Sequence, residues 1–414
     1  MRRLLANLLH LTFSFPLLLR LLSGTEATPL LLAETRRIDP PAAAESGMPF
    51  FTQDQNGNIL LAWSDTLGAE GHALRFSRWM GKAWSAPETI TKGNDWFANW
   101  ADFGSLNVLP DGSMLAHWLT RSAPENKYGY GIRVTRRDPK TGSWQQVHGM
   151  SLDEQQDYAG FLSFAPGTGY AAYLSPPAHS GHGAAHGNGD HDHRKTLRFL
   201  RFGNGGKPVG DEEIDADVCS CCPTATGRTR DGWVVAYRDH RGEVRDISVL
   251  RNVNGKWSEP RTVHADNWKI NGCPTDGPSL VARDERVAVT WTTRAGGVAK
   301  VQAALSANQG EQFQAPVSID DGSPLGRPVI AAFDGASYLL AWLERQGDGV
   351  ELRLRRLTHA GDALPSFVAA KVPLGRASGF PKIAVTQDAV FVAWRDQRVR
   401  VLLLPKEEVL RRSR

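Results

Sequence analysis

Three groups of side chains in this chain are of types and spacings that could do chemistry. The first is cysteine: all four fall in two short stretches, Cys219-Ser220-Cys221-Cys222-Pro223-Thr224 and Gly272-Cys273-Pro274-Thr275. Cys222 and Cys273 are each followed by Pro-Thr, so they occupy matching positions. Thiols so placed either pair as disulfides or hold a thiophilic ion such as Cu(I) or Zn. As disulfides, the natural pairing joins Cys222 to Cys273 and Cys219 to Cys221, one of three connectivities that four cysteines allow. The second group is His179, His182, His186, His191 and His193, set among Gly and Ala with Asp190 and Asp192 alongside. Imidazoles bind Zn or Cu, but spacers of this kind read as an exposed loop without set geometry. No cofactor is required, and Zn or Cu are the candidate ions. The third group mixes Asn99, Trp100, Asp102, Asp157, Tyr158, Asn271, Asp276, Arg327 and Arg376. Arg supplies fork-shaped donors, carboxylates accept from hydroxyls, and aromatic faces stack on sugar rings, so the set suits a polar, anionic or sugar-like ligand. Asp102 and Asp276 are the candidate acid and base.

The elements that must position these groups repeat. Seven short apolar segments end in an aromatic residue, at Trp63, Trp118, Tyr173, Tyr237, Trp291, Trp342 and Trp394. The steps between them are 55, 55, 64, 54, 51 and 52 residues. A period near 50 is the mark of a radially repeated β-architecture. Each unit can be laid out as four antiparallel strands, with the aromatic-ended segment second and a Pro-containing outer strand last. The expected fold is therefore all-β: a closed propeller of seven blades, or six if one unit is irregular. The segment Pro29-Leu30-Leu31-Leu32-Ala33-Glu34-Thr35 is expected to supply the last blade's missing outer strand and close the ring. On this ruler the third group and all the cysteines sit in loops leading into first strands, which rim the axis. The histidines fall in an insertion over 176–194 that lengthens the third unit.

A resemblance follows from the turn Ser306-Ala307-Asn308-Gln309-Gly310-Glu311-Gln312-Phe313. It is similar to the Asp box (Ser-x-Asp-x-Gly-x-x-Trp) of sialidase-like, BNR-repeat propellers from secreted bacterial proteins. Ser77, Gly81 and Trp84 keep the same spacing, with Trp79 where Asp would stand. The aromatic-rich stretch over 95–103 shares in the likeness, which spans about residues 45–400. The resemblance implies an axial pocket that binds a glycan. It also implies a sialidase constellation: a Tyr nucleophile from the last blade with a nearby Glu, an Asp acid/base and an Arg cluster. Here no Tyr follows Tyr338, and Arg36-Arg37-Ile38-Asp39-Pro40 only echoes the family's Phe-Arg-Ile-Pro motif. Three functions remain open: a glycoside hydrolase, a non-catalytic binding or scaffolding propeller, and a metal-handling protein.

Composition bounds the rest. The chain has 414 residues with 13 Trp, 41 Gly and 24 Pro, as many short strands and tight turns require. The net charge of +4 is spread without a basic stripe, which argues against nucleic acid as a partner. Residues 1–27 read as an export signal: Arg2 and Arg3, an apolar run through Leu22, then Thr25-Glu26-Ala27. Pro16 and Arg20 interrupt that run, so no stable membrane span is expected, and the location is expected to be periplasmic or secreted. Residues 28–405 then form one propeller domain, followed by a basic tail over 406–414. The charged group Arg238, Asp239, Arg245 and Asp246 reads as an ion-pair network at a blade edge.

Overall fold

Each of the seven aromatic-ended segments becomes the second strand of a separate antiparallel sheet, and the sheets are the blades of a seven-bladed propeller. The computed structural model describes residues 35–121, 129–147, 159–177 and 194–414. The first blade shows the plan: Ser46–Gln53, Ile59–Thr66, His72–Arg78 and Glu88–Gly93 in sheet order. First strands of neighbouring blades pack side by side around the ring. Ser46–Gln53 lies against Ser105–Val108 on one side and Lys382–Val385 on the other. Ile59–Thr66 is buried along nearly its whole length, because both its faces meet neighbouring blades.

The recurring aromatic residue has a reason to be Trp or Tyr and not Leu. Its body fills the space between blades, while its polar tip reaches a carboxylate. Trp63 Nε1 donates to Asp65 Oδ1 at 2.8 Å, and Trp342 Nε1 donates to Glu344 Oε2 at 2.6 Å. Trp291 Nε1 donates to Asp266 Oδ2 at 2.7 Å. The hydroxyls of Tyr173 and Tyr237 donate to Asp211 and Asp215 at 2.9 and 2.5 Å. Two positions depart from the pattern. Trp118 stacks on Trp96, and Trp394 buries Nε1 without a partner among the described residues while the Arg37 guanidinium lies over its ring.

Closure of the ring differs in position from the expectation. The outer strand of the last blade is Arg36–Arg37, paired with Leu403 and Leu402 of Arg398–Pro405. Residues 29–34 lie outside the described residues, as do residues 1–27. The contact continues past the strand. Asp39 accepts from Val401 N at 3.0 Å and from Arg400 Nη1 at 2.9 Å, and Arg398 Nη2 donates to Ala42 O at 2.6 Å. This stretch includes Arg36-Arg37-Ile38-Asp39-Pro40, so the motif echo belongs to the closing seam. The basic tail over 406–414 contains the helix Lys406–Arg412, which buries Val409 in the core between the last two blades. Its Arg411 and Arg412 pair with Glu408, which draws that carboxyl below its usual range. Among the described residues no helix is long and apolar enough to cross a membrane.

Candidate functional site

Cations and aromatic rings from distant parts of the chain meet around Trp100. The Arg327 guanidinium lies 4.7 Å from the Trp100 ring centroid and that of Arg376 lies 5.8 Å away. Phe380 stacks on Trp100 at 5.7 Å with the planes 14° apart. Arg327 is aimed by its own hydrogen bonds: Nη1 donates to Ser378 Oγ and Gly379 O, both at 2.8 Å. Beside them the Lys382 ammonium lies 4.9 Å from Phe103 and 5.9 Å from both Phe50 and Phe380. No carboxylate pairs with Lys382 among the described residues, and burial pushes its ammonium down to about 8. Sequence reasoning missed Lys382. Nothing local marks a lysine opening an apolar strand as special, since its aromatic neighbours come from positions 50, 103 and 380.

A cavity of about 320 Å³ opens next to this group, lined by Trp100, Trp268, Ile270, Asp276, Arg294 and Arg327 among others. Asp276 is its one lining carboxylate among the described residues. It is buried, its Oδ2 accepts from Arg327 N at 3.1 Å, and its Oδ1 has no hydrogen-bond partner among the described residues. Desolvation raises its pKa, against the opposing pull of the Arg327 amide, Thr292, Arg238 and the Arg327 charge.

Asp102 occupies an equivalent clip three blades away, and it does not line that cavity. Its Oδ1 accepts from Phe161 N at 2.9 Å and its Oδ2 from the Tyr130 hydroxyl at 3.0 Å. In both clips the donor amide belongs to a residue at positive φ, 54° for Phe161 and 57° for Arg327, and a glycine precedes it. A Cβ on Gly160 would sit 2.0 Å from Asp102 Oδ2, and one on Gly326 would sit 2.3 Å from Asp276 Oδ2. The glycines let the backbone of one blade close over the carboxylate of its neighbour. Burial raises Asp102 to about 7 despite both hydrogen bonds. The two carboxylates thus stand in separate inter-blade clips and do not face one cavity as the expected acid and base. A sequence marks an acid in a loop; it does not mark the glycine backbone that will enclose it.

The remaining candidates sort as follows. Asn99 Oδ1 accepts from Ala101 N at 2.8 Å, so it shapes the turn that presents Trp100. Asn271 is exposed beside Ile270 at the cavity. Tyr158, Asp157 and all five histidines, His179, His182, His186, His191 and His193, lie outside the described residues. The charged group near Tyr237 is not a surface ion-pair network. Arg238 is 1% exposed, donating to Asp276 O and Thr292 O at 2.6 and 3.0 Å and packing on Trp268. Asp246 caps the amides of Asn267 and Trp268, and Asp239 pairs with Arg241. Arg238 and Asp246 therefore brace the cavity wall from behind.

The cysteines gather beside that wall. A disulfide joins Cys221 to Cys273, with the Cα atoms 5.9 Å apart, while Cys219 and Cys222 are buried free thiols. This corrects the expected pairing of Cys222 with Cys273 and Cys219 with Cys221. Cys222 matches Cys273 in sequence, yet it turns inward (1% exposed), leaving Cys221 to reach across to the next blade. Cys219 Sγ lies 3.8 Å from Cys222 Sγ and 3.9 Å from Cys221 Sγ. The interaction with Cys222 pulls the Cys219 thiol down to about 7, against desolvation and helped by the Cys221 amide, Arg238 and Arg245. Burial pushes Cys222 up.

No family model and no curated protein matches the chain. Solved structures do. An ulvan lyase of polysaccharide lyase family PL25 aligns at a TM-score of 0.54 and 12% identity, covering 91% of this chain and 95% of that one. The intramolecular trans-sialidase from Ruminococcus gnavus aligns at 0.47 and 10% identity over 90% and 98%. The Hadza microbial sialidase Hz136 aligns at 0.46 and 11% identity, covering 72% of this chain, which spans only 63% of the sialidase. At such identities the likeness to the ulvan lyase carries the fold alone: this chain is a seven-bladed β-propeller similar in architecture to that enzyme.

Proposed function

We propose that the chain is an exported propeller whose axial face binds an anionic glycan, with the sugar on Trp100 and its acidic group between Arg327, Arg376 and Lys382. The observation that carries this reading is the convergence of those three cations on the Trp100, Phe103 and Phe380 rings, beside a cavity with one carboxylate among the described residues. An exposed aromatic face stacks on a sugar ring, and a guanidinium fork matches a carboxylate or sulfate. The ulvan lyase that shares the architecture is by its name a polysaccharide lyase, which fits the reading. The turn at Ser306 adds to it. Gly310 N donates to Ser306 Oγ at 2.9 Å and Gln312 N to Asn308 Oδ1 at 3.0 Å, the side-chain-locked turn that an Asp-box likeness implies.

Binding without turnover is the form of the reading favoured here, because Asp102 is enclosed in a clip and no Tyr follows Tyr338. Calorimetry of the purified chain against uronate-, sialate- and sulfate-bearing oligosaccharides and their neutral counterparts tests it. Anionic glycans are expected to bind and neutral ones not, and Arg327→Ala is expected to weaken binding about 10- to 100-fold, the worth of a charge-assisted hydrogen bond. Equal affinity for neutral and acidic glycans would overturn the reading. Release of fluorophore from sialosides or uronides would replace binding with hydrolysis. Export is tested separately by N-terminal sequencing of the protein recovered outside the cytoplasm.

A further inference from the structure

The cysteine cluster stands outside the glycan reading. Cys219 ends the strand Pro208–Cys219, Cys221 and Cys222 follow in the turn, and Cys273 arrives from the loop before the next blade. The sulfurs of Cys219, Cys221 and Cys222 all lie within 4.8 Å of one another, with Cys219 Sγ 3.8 Å from Cys222 Sγ and 3.9 Å from Cys221 Sγ. A tetrahedral thiolate site with metal–sulfur bonds of about 2.3 Å has sulfur–sulfur edges of about 3.8 Å. Three cysteines are therefore already spaced as ligands around a common centre, and the fourth is bonded to one of them. The surroundings favour negative charge on sulfur. The Arg238 guanidinium acts on both Cys219 and Cys222, and that of Arg245 acts on Cys219. The backbone amides of Cys221 and Asp276 act in the same direction on Cys219 and Cys222, respectively. Such surrounding donors and charges stabilise bound thiolates.

We propose that the reduced protein binds one thiophilic d10 cation, Zn(II) or Cu(I), on this cysteine cluster, and that the Cys221–Cys273 disulfide is the metal-free state of the same site. Zn(II) takes all four sulfurs; its four thiolates leave a charge of −2, which Arg238 and Arg245 face. Cu(I) on the three buried sulfurs carries the same charge and leaves the exposed Cys273 out. Opening the disulfide requires a reductant: one phosphine and one water convert Cys221–Cys273 to two thiols, the phosphine becoming its oxide. Each thiol that ligates then gives up its proton to solvent.

The test uses the full chain, reduced anaerobically with a water-soluble phosphine, and a second full chain in which the five loop histidines are changed to Ala. Each is titrated with Zn(II) and, separately, with Cu(I) delivered from a weak chelator, and thiols are then counted by alkylation and mass spectrometry. The expected result is one tightly held cation in both chains. Zn(II) should protect all four thiols, whereas Cu(I) should protect three and leave Cys273 alkylated. Cys219→Ser should lose the stoichiometric binding. If that variant fails to fold by circular dichroism, the protection pattern of the unmutated cysteines decides the question. Metal that follows the histidines, or four thiols that remain open to alkylation in the presence of both ions, would overturn the proposal.

Discussion

Asp102 offers a direct reading of what enclosing a carboxylate between blades costs. Its ordinary value of 3.8 rises to about 7 in the folded protein, with desolvation as the first cause. In the unfolded chain the group loses its proton near pH 4, so between about pH 4 and pH 7 the folded state holds a proton that the unfolded state has released. Stability must therefore fall as pH rises through that window. At about 1.4 kcal/mol per pH unit the interval is worth about 4 kcal/mol, present as a penalty above pH 7 and absent below pH 4. Asp102→Asn removes the ionisation while keeping an acceptor for the Phe161 amide. The assay is urea unfolding of both proteins from pH 4.5 to 8.5, taking the difference so that the other titrating groups cancel. The wild type is expected to lose about 3 kcal/mol relative to Asp102→Asn across that range, the first part of the loss falling below pH 4.5. A difference that stays flat would show that the carboxylate is solvated in the fold, and the clip would not be the closed site described.

Three further outcomes follow from the same geometry. Gly326→Ala places a Cβ 2.3 Å from Asp276 Oδ2 at a φ of +96°, and it is expected to destabilise by about 1–3 kcal/mol or more, read as a lowered melting temperature. Trp342→Phe leaves Glu344 Oε2 without its buried indole donor, with an expected loss of about 1–3 kcal/mol in denaturant unfolding. Lys382 titrates near 8 in the fold, so affinity for an anionic glycan should drop as pH rises through about 8, and Lys382→Met should bind weakly with no such step in calorimetry run across pH.

Much of the fold was legible because a propeller writes its period into the chain. Trp63, Trp291 and Trp342 recur at a near-constant spacing since their second strands meet the same environment: two buried faces and a carboxylate at the tip. The candidate site was legible only as loops. Trp100, Arg327 and Arg376 were marked by type and by their place before first strands, and the structure brings all three together. Lys382 went unmarked because two of its three aromatic neighbours, Phe50 and Phe103, come from other blades, and Asp102 read as a reactive acid because Gly160, which encloses it, is distant in the chain.

What the sequence alone determined is whatever depends on local repetition: an all-β propeller in which each aromatic-ended segment is the second strand of a blade. What the tertiary structure decided is pairing across units. Cys221 and not Cys222 reaches Cys273, Arg36–Arg37 pairs with the last blade, and two glycines seal two carboxylates. The physical reason is the same in each case. Adjacent residues in a loop or strand differ by one position in the chain but face opposite ways in space. Which one makes the long-range contact depends on the neighbouring blade, and no local pattern encodes that.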